Sequence, residues 1–180
     1  MEIFIDGIRF CFEIIGIEAR LINSREAPSG LLSKAIEEFL FYSGFISMIR
    51  DESGVVLLER GQVEVWQARI AEIQPTQFYI NSLKLDRCLG WICGPQDIYV
   101  PVAMIDGRLT AVDGHTRLKA AQRLGYEFVN IYLDDDGDYI RDFADMAIGR
   151  GIRSVCDMKV IDDAEYRVLW NGFCDEYFGR

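Results

Sequence analysis

The sequence predicts a mixed α/β (α+β) protein, and three observations carry that expectation. Two Asp-Gly pairs, Asp6-Gly7 and Asp106-Gly107, each sit between short apolar runs, the pattern of a two-residue β-hairpin. Segments starting near Leu31, Leu83, Thr116, Tyr139 and Asp162 place apolar residues at helical spacing. From about Ile70 onward, strand-like and helix-like segments alternate, which suits a mixed sheet with flanking helices.

Taken in order, Ile3-Phe4-Ile5 and Ile8 to Phe12 read as the arms of the first hairpin. Residues 17–29 read as polar and irregular, broken by Pro28-Ser29-Gly30, with Ser29 a candidate cap. Leu32, Ala35, Ile36, Phe39 and Leu40 mark a helix over 31–42. A second hairpin follows, with Phe45 to Ile49 and Val55 to Leu58 around Asp51-Glu52-Ser53-Gly54. These elements make a β-rich N-terminal extension, residues 1–62, without a catalytic motif. Its expected role is packing, pairing of two chains or covering a site.

A second part, residues 63–135, opens with a strand over Val63 to Arg69. Ile73-Gln74-Pro75-Thr76-Gln77 reads as a strand exit, because Pro75 cannot donate to a ladder. Asn81 or Ser82 is placed to cap a helix over 83–91, with Leu85, Cys88, Leu89 and Ile92 inward. Ile98 to Ile105 and Leu109 to Val112 form the second Asp-Gly hairpin. Thr116 to Leu124 follows as a helix with Leu118, Ala121 and Leu124 on one face, closed by Gly125. Phe128 to Leu133 returns as a strand. The acidic run 134–138 lacks the spacing of a calcium loop and reads as a solvated turn. Residues 136–180 read as a helical segment packed on this part. Ile140, Phe143, Ala144 and Ala147 form one stripe, 154–160 is a connector, and Val168, Leu169, Trp170, Phe173 and Tyr177 form the last stripe.

Composition narrows the function classes. Half of the 180 residues are hydrophobic and 27% are charged, ordinary for a globular protein. No apolar run is long enough to span a bilayer, and the acidic N-terminus does not read as a signal peptide. Cytoplasm without membrane association is the expectation. The net charge of −10 disfavours nucleic acid as a partner, since phosphate contacts need a basic face. Five irregularly spaced cysteines and a single histidine do not make a zinc cage.

The chemistry concentrates at Asp113-Gly114-His115-Thr116-Arg117. A helix start leaves backbone N–H groups unpaired at the positive end of the dipole, a natural seat for phosphate. Thr116 adds a hydroxyl donor and Arg117 a permanent bidentate charge. Asp113 would repel phosphate and makes better sense as a base, a magnesium ligand or an acceptor. The plainer alternative is a turn capped by Asp113 or Thr116, with His115 partly exposed.

Asp113-Gly114-His115-Thr116-Arg117-Leu118, followed by Ala120-Ala121 and Gly125, resembles the nucleotide-binding motif of the ParB/sulfiredoxin-like superfamily. Ile73 to Gln77, Val100-Pro101-Val102 and Asp106-Gly107 extend the resemblance over roughly the middle third of the chain. It implies a ParB/sulfiredoxin-like central domain with a small mixed sheet. It also implies a bound nucleotide, ATP or ADP with CTP as the alternative, and Mg2+. Free-serine kinases of this superfamily carry a similar Asp-Gly-His-x-Arg segment. The resemblance therefore implies catalytic roles for Asp113 and His115. It implies nucleotide contacts from Gly114, His115, Thr116, Arg117 and Gln77, and transfer of phosphate to a small hydroxyl metabolite.

Three departures matter. Gln77 stands where such kinases are expected to carry a carboxylate, and Glu72 is the nearest acid. His115 stands where sulfiredoxins carry their reactive cysteine. The ParB clamp motif Glu-Arg-Arg is His115-Thr116-Arg117 here. A nucleotide-dependent binding module with little turnover is thus the second expectation, with a homodimer as a candidate assembly. Nuclease activity is a weaker third.

Overall fold

Both Asp-Gly pairs fold as two-residue hairpin turns, with Asp6 and Gly7 at φ 49° and 81° and Asp106 and Gly107 at 48° and 76°. Positive φ at both central residues matches the right-handed twist of the strands they join. The computed structural model describes residues 1–22, 28–134, 137 and 139–180. It is a mixed α/β protein whose contacts divide into two units, Met1–Glu64 and Val65–Arg180. Of the acidic run 134–138, Asp135, Asp136 and Asp138 lie outside the described residues.

The first unit is a five-stranded sheet in the order β1 (Glu2–Ile5), β2 (Ile8–Ile15), β3 (Glu18–Leu21), β4 (Met48–Asp51) and β5 (Val56–Glu59). β3 and β4 run parallel, so their connection must cross over, and it contains α1 (Ser29–Tyr42). Alternation along the strands separates two faces. Ile3, Phe10, Phe12, Ala19, Leu21 and Ile49 are buried, and Phe12 stacks on Phe39 of α1 at 4.1 Å between ring centroids. The opposite face carries cross-strand ion pairs, Glu2–Arg9 at 3.2 Å, Glu13–Arg20 at 3.9 Å and Glu18–Arg50 at 3.7 Å. Each is exposed and contributes at most about 1 kcal/mol. β3 falls where the sequence reads as irregular. Its four residues alternate exposed and buried, Glu18-Ala19-Arg20-Leu21, but four residues are too few for the period to stand out.

The second unit holds a four-stranded sheet in the order β6 (Val65–Arg69), β10 (Phe128–Leu133), β8 (Tyr99–Ile105) and β9 (Arg108–Ala111). β10 is antiparallel to β6 and parallel to β8. β7 (Tyr79–Asn81) and β11 (Lys159–Ile161) form a separate parallel pair. α2 (Ser82–Trp91) packs against α3 (His115–Arg123), which bridges β9 and β10. The core includes Leu85, Val100, Val102, Ala111, Leu118, Ala121, Val129 and Ile131, all fully buried. Leu124, expected on the buried face of α3, is 38% exposed, because the helix ends at Arg123 and the chain turns away at Gly125 (φ 78°). Glu72 lies in a short 3-10 turn, Ile70–Glu72, and is exposed.

β7 and β11 are both absent from the expectation, which ended a strand exit at Gln77 and gave a connector over 154–160. Three-residue strands have no readable period; only their mutual pairing defines them. That pair brings Asn81 beside the C-terminal segment. The Asn81 side chain caps α2 by accepting from the Lys84 N–H at 3.1 Å, and it donates to Asp163 at 2.8 Å. Asn81→Ala should therefore cost about 1–2 kcal/mol in chemical denaturation, a lost cap plus a lost tether.

α4 (Tyr139–Gly149) buries Ile140, Phe143, Ala144 and Ala147 as its stripe predicts. The last helix is α5 (Asp163–Tyr166), a π-helical turn over Arg167–Asn171, and α6 (Gly172–Phe178). Trp170, Phe173 and Tyr177 pack, but Val168 and Leu169 are 72% and 44% exposed. Consecutive helical residues lie about 100° apart, so Val168, Leu169 and Trp170 do not share one face.

Among the described residues, no helix is long and apolar enough to cross a membrane.

Candidate functional site

β9 leads into α3 through Gly114, whose φ of 80° and ψ of 13° are left-handed. A Cβ there would be strained by φ and would meet the Arg117 guanidinium at 3.2 Å. Arg117 thus folds back over the helix start, and its side chain is only 17% exposed. It pairs with Asp113 at 3.4 Å, while the Asp113 side chain stays 70% exposed. The first helical hydrogen bond runs from the Leu118 N–H to the Gly114 carbonyl at 2.9 Å. The backbone N–H groups of His115, Thr116 and Arg117 find no acceptor among the described residues. The half-buried Thr116 hydroxyl likewise has no partner among them. Neither Asp113 nor Thr116 caps the helix, contrary to the plainer alternative, and Gly114 occupies the cap position without a side chain.

His115 is not a partly exposed turn residue. It is 3% exposed, and the Thr76 backbone N–H donates to its Nε2 at 3.0 Å. A backbone N–H can only donate, so Nε2 accepts and the ring proton sits on Nδ1. The Thr76 hydroxyl donates to the Ala111 carbonyl at 2.9 Å and lies 3.2 Å from the same nitrogen. Burial drives the imidazole pKa down to about 4, the Asp113 charge opposing and the Arg117 charge assisting. The ring is therefore neutral near pH 7, and the positive charge at the helix start comes from Arg117.

The segment 73–77 is tied down throughout. Gln74 exchanges backbone bonds with β9, its N–H donating to Leu109 and its carbonyl accepting from Ala111, both at 2.8 Å. Its buried amide donates to the carbonyls of Pro75 at 2.8 Å and Ile152 at 2.9 Å. Gln77 donates through Nε2 to the Tyr79 carbonyl at 2.8 Å and to the Tyr166 hydroxyl at 2.6 Å. On the other flank of α3, the buried Lys119 ammonium donates to the Val155 carbonyl at 3.0 Å, and burial lowers its pKa.

Asp113, Gly114, Thr116 and Arg117 therefore meet at one helix start, whereas His115 faces inward to Thr76 and Gln77 faces Tyr166. Sequence reasoning did not single out Thr76, Cys88 or Tyr166. Cys88, from α2, is half-buried; burial raises its thiol pKa, and the Arg117 and Asp113 charges both reach it. Tyr166, from α5, is 5% exposed. Burial raises its phenol pKa first, followed by the Cys174 and Asp113 charges, while the Gln77 hydrogen bond lowers it. No local signal in the sequence connects Tyr166 to a motif 50 residues upstream.

No family model matches the chain, and no curated protein sequence matches it. Among solved structures, the chain is similar to the crystal structure of protein Atu1540 from Agrobacterium tumefaciens. The likeness covers 63% of this chain and 68% of that one, at 16% identity and a TM-score of 0.41.

Proposed function

We propose that this is a nucleotide-binding protein of the ParB/sulfiredoxin-like kind, which seats the terminal phosphates of ATP or ADP at the start of α3. The observation that carries the reading is the convergence there of three backbone N–H groups and a Thr116 hydroxyl that find no partner among the described residues, with the folded-back Arg117 guanidinium beside them. Oriented amides at a helix start favour an anion, and a guanidinium adds bidentate charge. His115 and Thr76 hold the amides in place.

The reaction that this site suits best is phosphoryl transfer to a small hydroxyl compound. The acceptor oxygen attacks the terminal phosphorus, the bridging P–O bond breaks, and the shortened nucleotide leaves with the electron pair. The acceptor's proton goes to Asp113, the exposed carboxylate beside the amides. Arg117 and the amides offset charge as it builds on the phosphoryl oxygens. A magnesium ion carried in on the nucleotide would neutralise phosphate charge; Asp113 is the carboxylate that would hold it in the alternative where it does not serve as the base.

A second reading is a nucleotide-gated module with little turnover. It is favoured by Gln77, whose amide is committed to Tyr79 and Tyr166 and offers no base.

Incubation with magnesium, ATP or ADP and pooled amino acids separates the two. Nucleotide conversion that needs both an acceptor and Asp113 supports transfer. Thermal stabilisation by nucleotide without conversion supports the module. Absence of stabilisation by ATP, ADP and CTP would refute both. Arg117→Ala should weaken nucleotide binding about tenfold to a hundredfold, as expected for a lost charged hydrogen bond, with a near-normal melting temperature. Unchanged affinity would show Arg117 to be structural.

A further inference from the structure

The hydroxyl of Tyr166 has half of its hydrogen-bonding capacity assigned. The Tyr79 carbonyl can only accept, so the nitrogen of the Gln77 amide must face it. The second hydrogen of that nitrogen then points at Tyr166, 2.6 Å away, and makes the phenol oxygen an acceptor. The phenol's own hydrogen has no acceptor among the described residues, although the residue is 95% buried, being 5% exposed. With its oxygen already accepting from Gln77, the hydroxyl keeps its hydrogen to give to solvent or to a ligand.

The surroundings say where that hydrogen is useful. Gln77 directly follows Thr76, whose N–H is bonded to His115, the first residue of α3. The path from the helix start to the phenol is therefore one imidazole, two residues and one amide. The Asp113 charge acts on the Tyr166 phenol, as the smallest of the influences on its pKa. The Lys84 ammonium stands over the phenol ring, 5.2 Å from its centroid, and adds positive charge on that side.

We propose that Tyr166 donates its hydroxyl hydrogen to a phosphate oxygen of the ligand held at α3, and that Gln77 fixes the direction of that donation. This rests on the phosphate-binding reading above and deepens it. It adds a ligand contact from the C-terminal segment, outside the Asp-Gly-His-Thr-Arg motif. It also gives Gln77 a task that a carboxylate would not perform. A carboxylate would accept from the phenol and consume the hydrogen, whereas an amide donates to it and leaves the hydrogen for the ligand.

The test is calorimetric titration of the full chain with inorganic pyrophosphate and with magnesium ATP. Inorganic pyrophosphate contains nothing but the group in question. Tyr166→Phe should keep the circular dichroism spectrum and melting temperature and bind both probes about tenfold more weakly. Gln77→Leu should weaken binding by a smaller factor, and the double variant should bind no worse than Tyr166→Phe alone, because Gln77 acts only through the phenol. Pyrophosphate affinity unchanged by Tyr166→Phe, or fully additive losses in the double variant, would overturn the assignment. If the unaltered protein binds neither probe, the phosphate-binding reading itself fails and this assignment falls with it.

Discussion

Acidification from pH 7 to pH 4 should cost the protein on the order of 3 kcal/mol through His115 alone. The imidazole is ordinarily protonated below about 6.5, but burial holds it neutral in the folded state down to about 4. Between those values the unfolded chain takes up a proton that the folded chain refuses. Stability from this group is thus fully present above 6.5 and is lost as pH falls toward 4. The carboxylates with lowered pKa, Asp106, Asp157 and Asp163, begin to add their losses as pH nears the ordinary 3.8 and lose most of them below it, so the loss between 6.5 and about 5 belongs to His115. The main reason is burial, which disfavours the charged ring, and one hydrogen bond works in the same direction. A proton on Nε2 ends the acceptance from the Thr76 N–H and leaves a buried cation facing a donor.

The chain has one histidine, so its ring resonance is unambiguous by NMR. That resonance should not move between pH 8 and about 5.5; a midpoint near 6.5 would refute the burial argument. His115→Gln retains an acceptor without titrating, and its melting temperature should be flat across the window in which the unaltered protein loses stability.

Phe143→Ala should destabilise the second unit by about 3–5 kcal/mol, the cost of deleting a large ring from a packed core. Phe143 is 4% exposed and lies at the centre of the aromatic cluster. Ring centroids of Tyr177, Tyr139, Phe173, Trp170 and Phe178 stand 4.8, 5.5, 5.5, 5.9 and 5.9 Å from its own. Those rings belong to α4, the π-helical turn and α6, so one substitution loosens the whole C-terminal segment. Denaturant unfolding followed by tryptophan fluorescence reads the loss, since Trp170 is in the cluster. A change below about 1 kcal/mol would mean the cluster repacks freely.

Local chemistry made much of this architecture legible. Asp6-Gly7 and Asp106-Gly107 declare their turns because few residue pairs accept two positive φ values. The α4 stripe declares its buried face through spacing alone, and Gly114 and Gly125 bracket α3 as turn and cap. What stayed illegible depends on partners far away in sequence. His115 reads as a site residue until Thr76, 39 positions earlier, takes its ring nitrogen. Tyr166 reads as nothing until Gln77, 89 positions earlier, bonds its hydroxyl. β7 and β11 exist only because each offers the other a ladder, and no composition of three residues encodes that. The candidate site was therefore visible as a motif, while the groups that lock it in place were not.

The β7–β11 pair also sets an order of events. Asn81 and Asp163 are separated by 82 positions. A ribosome adding about 5–20 residues per second takes roughly 4–16 s to cover that distance. Throughout that interval the nascent β7 has an open edge, and Gln77 has no phenol to meet. The residues that start α3 are made well before Asp163 and Tyr166 follow. Contacts between distant positions close slowly, so a translation pause within the last stretch would prolong a state in which the hairpin and α3 are formed and β7 has no partner strand.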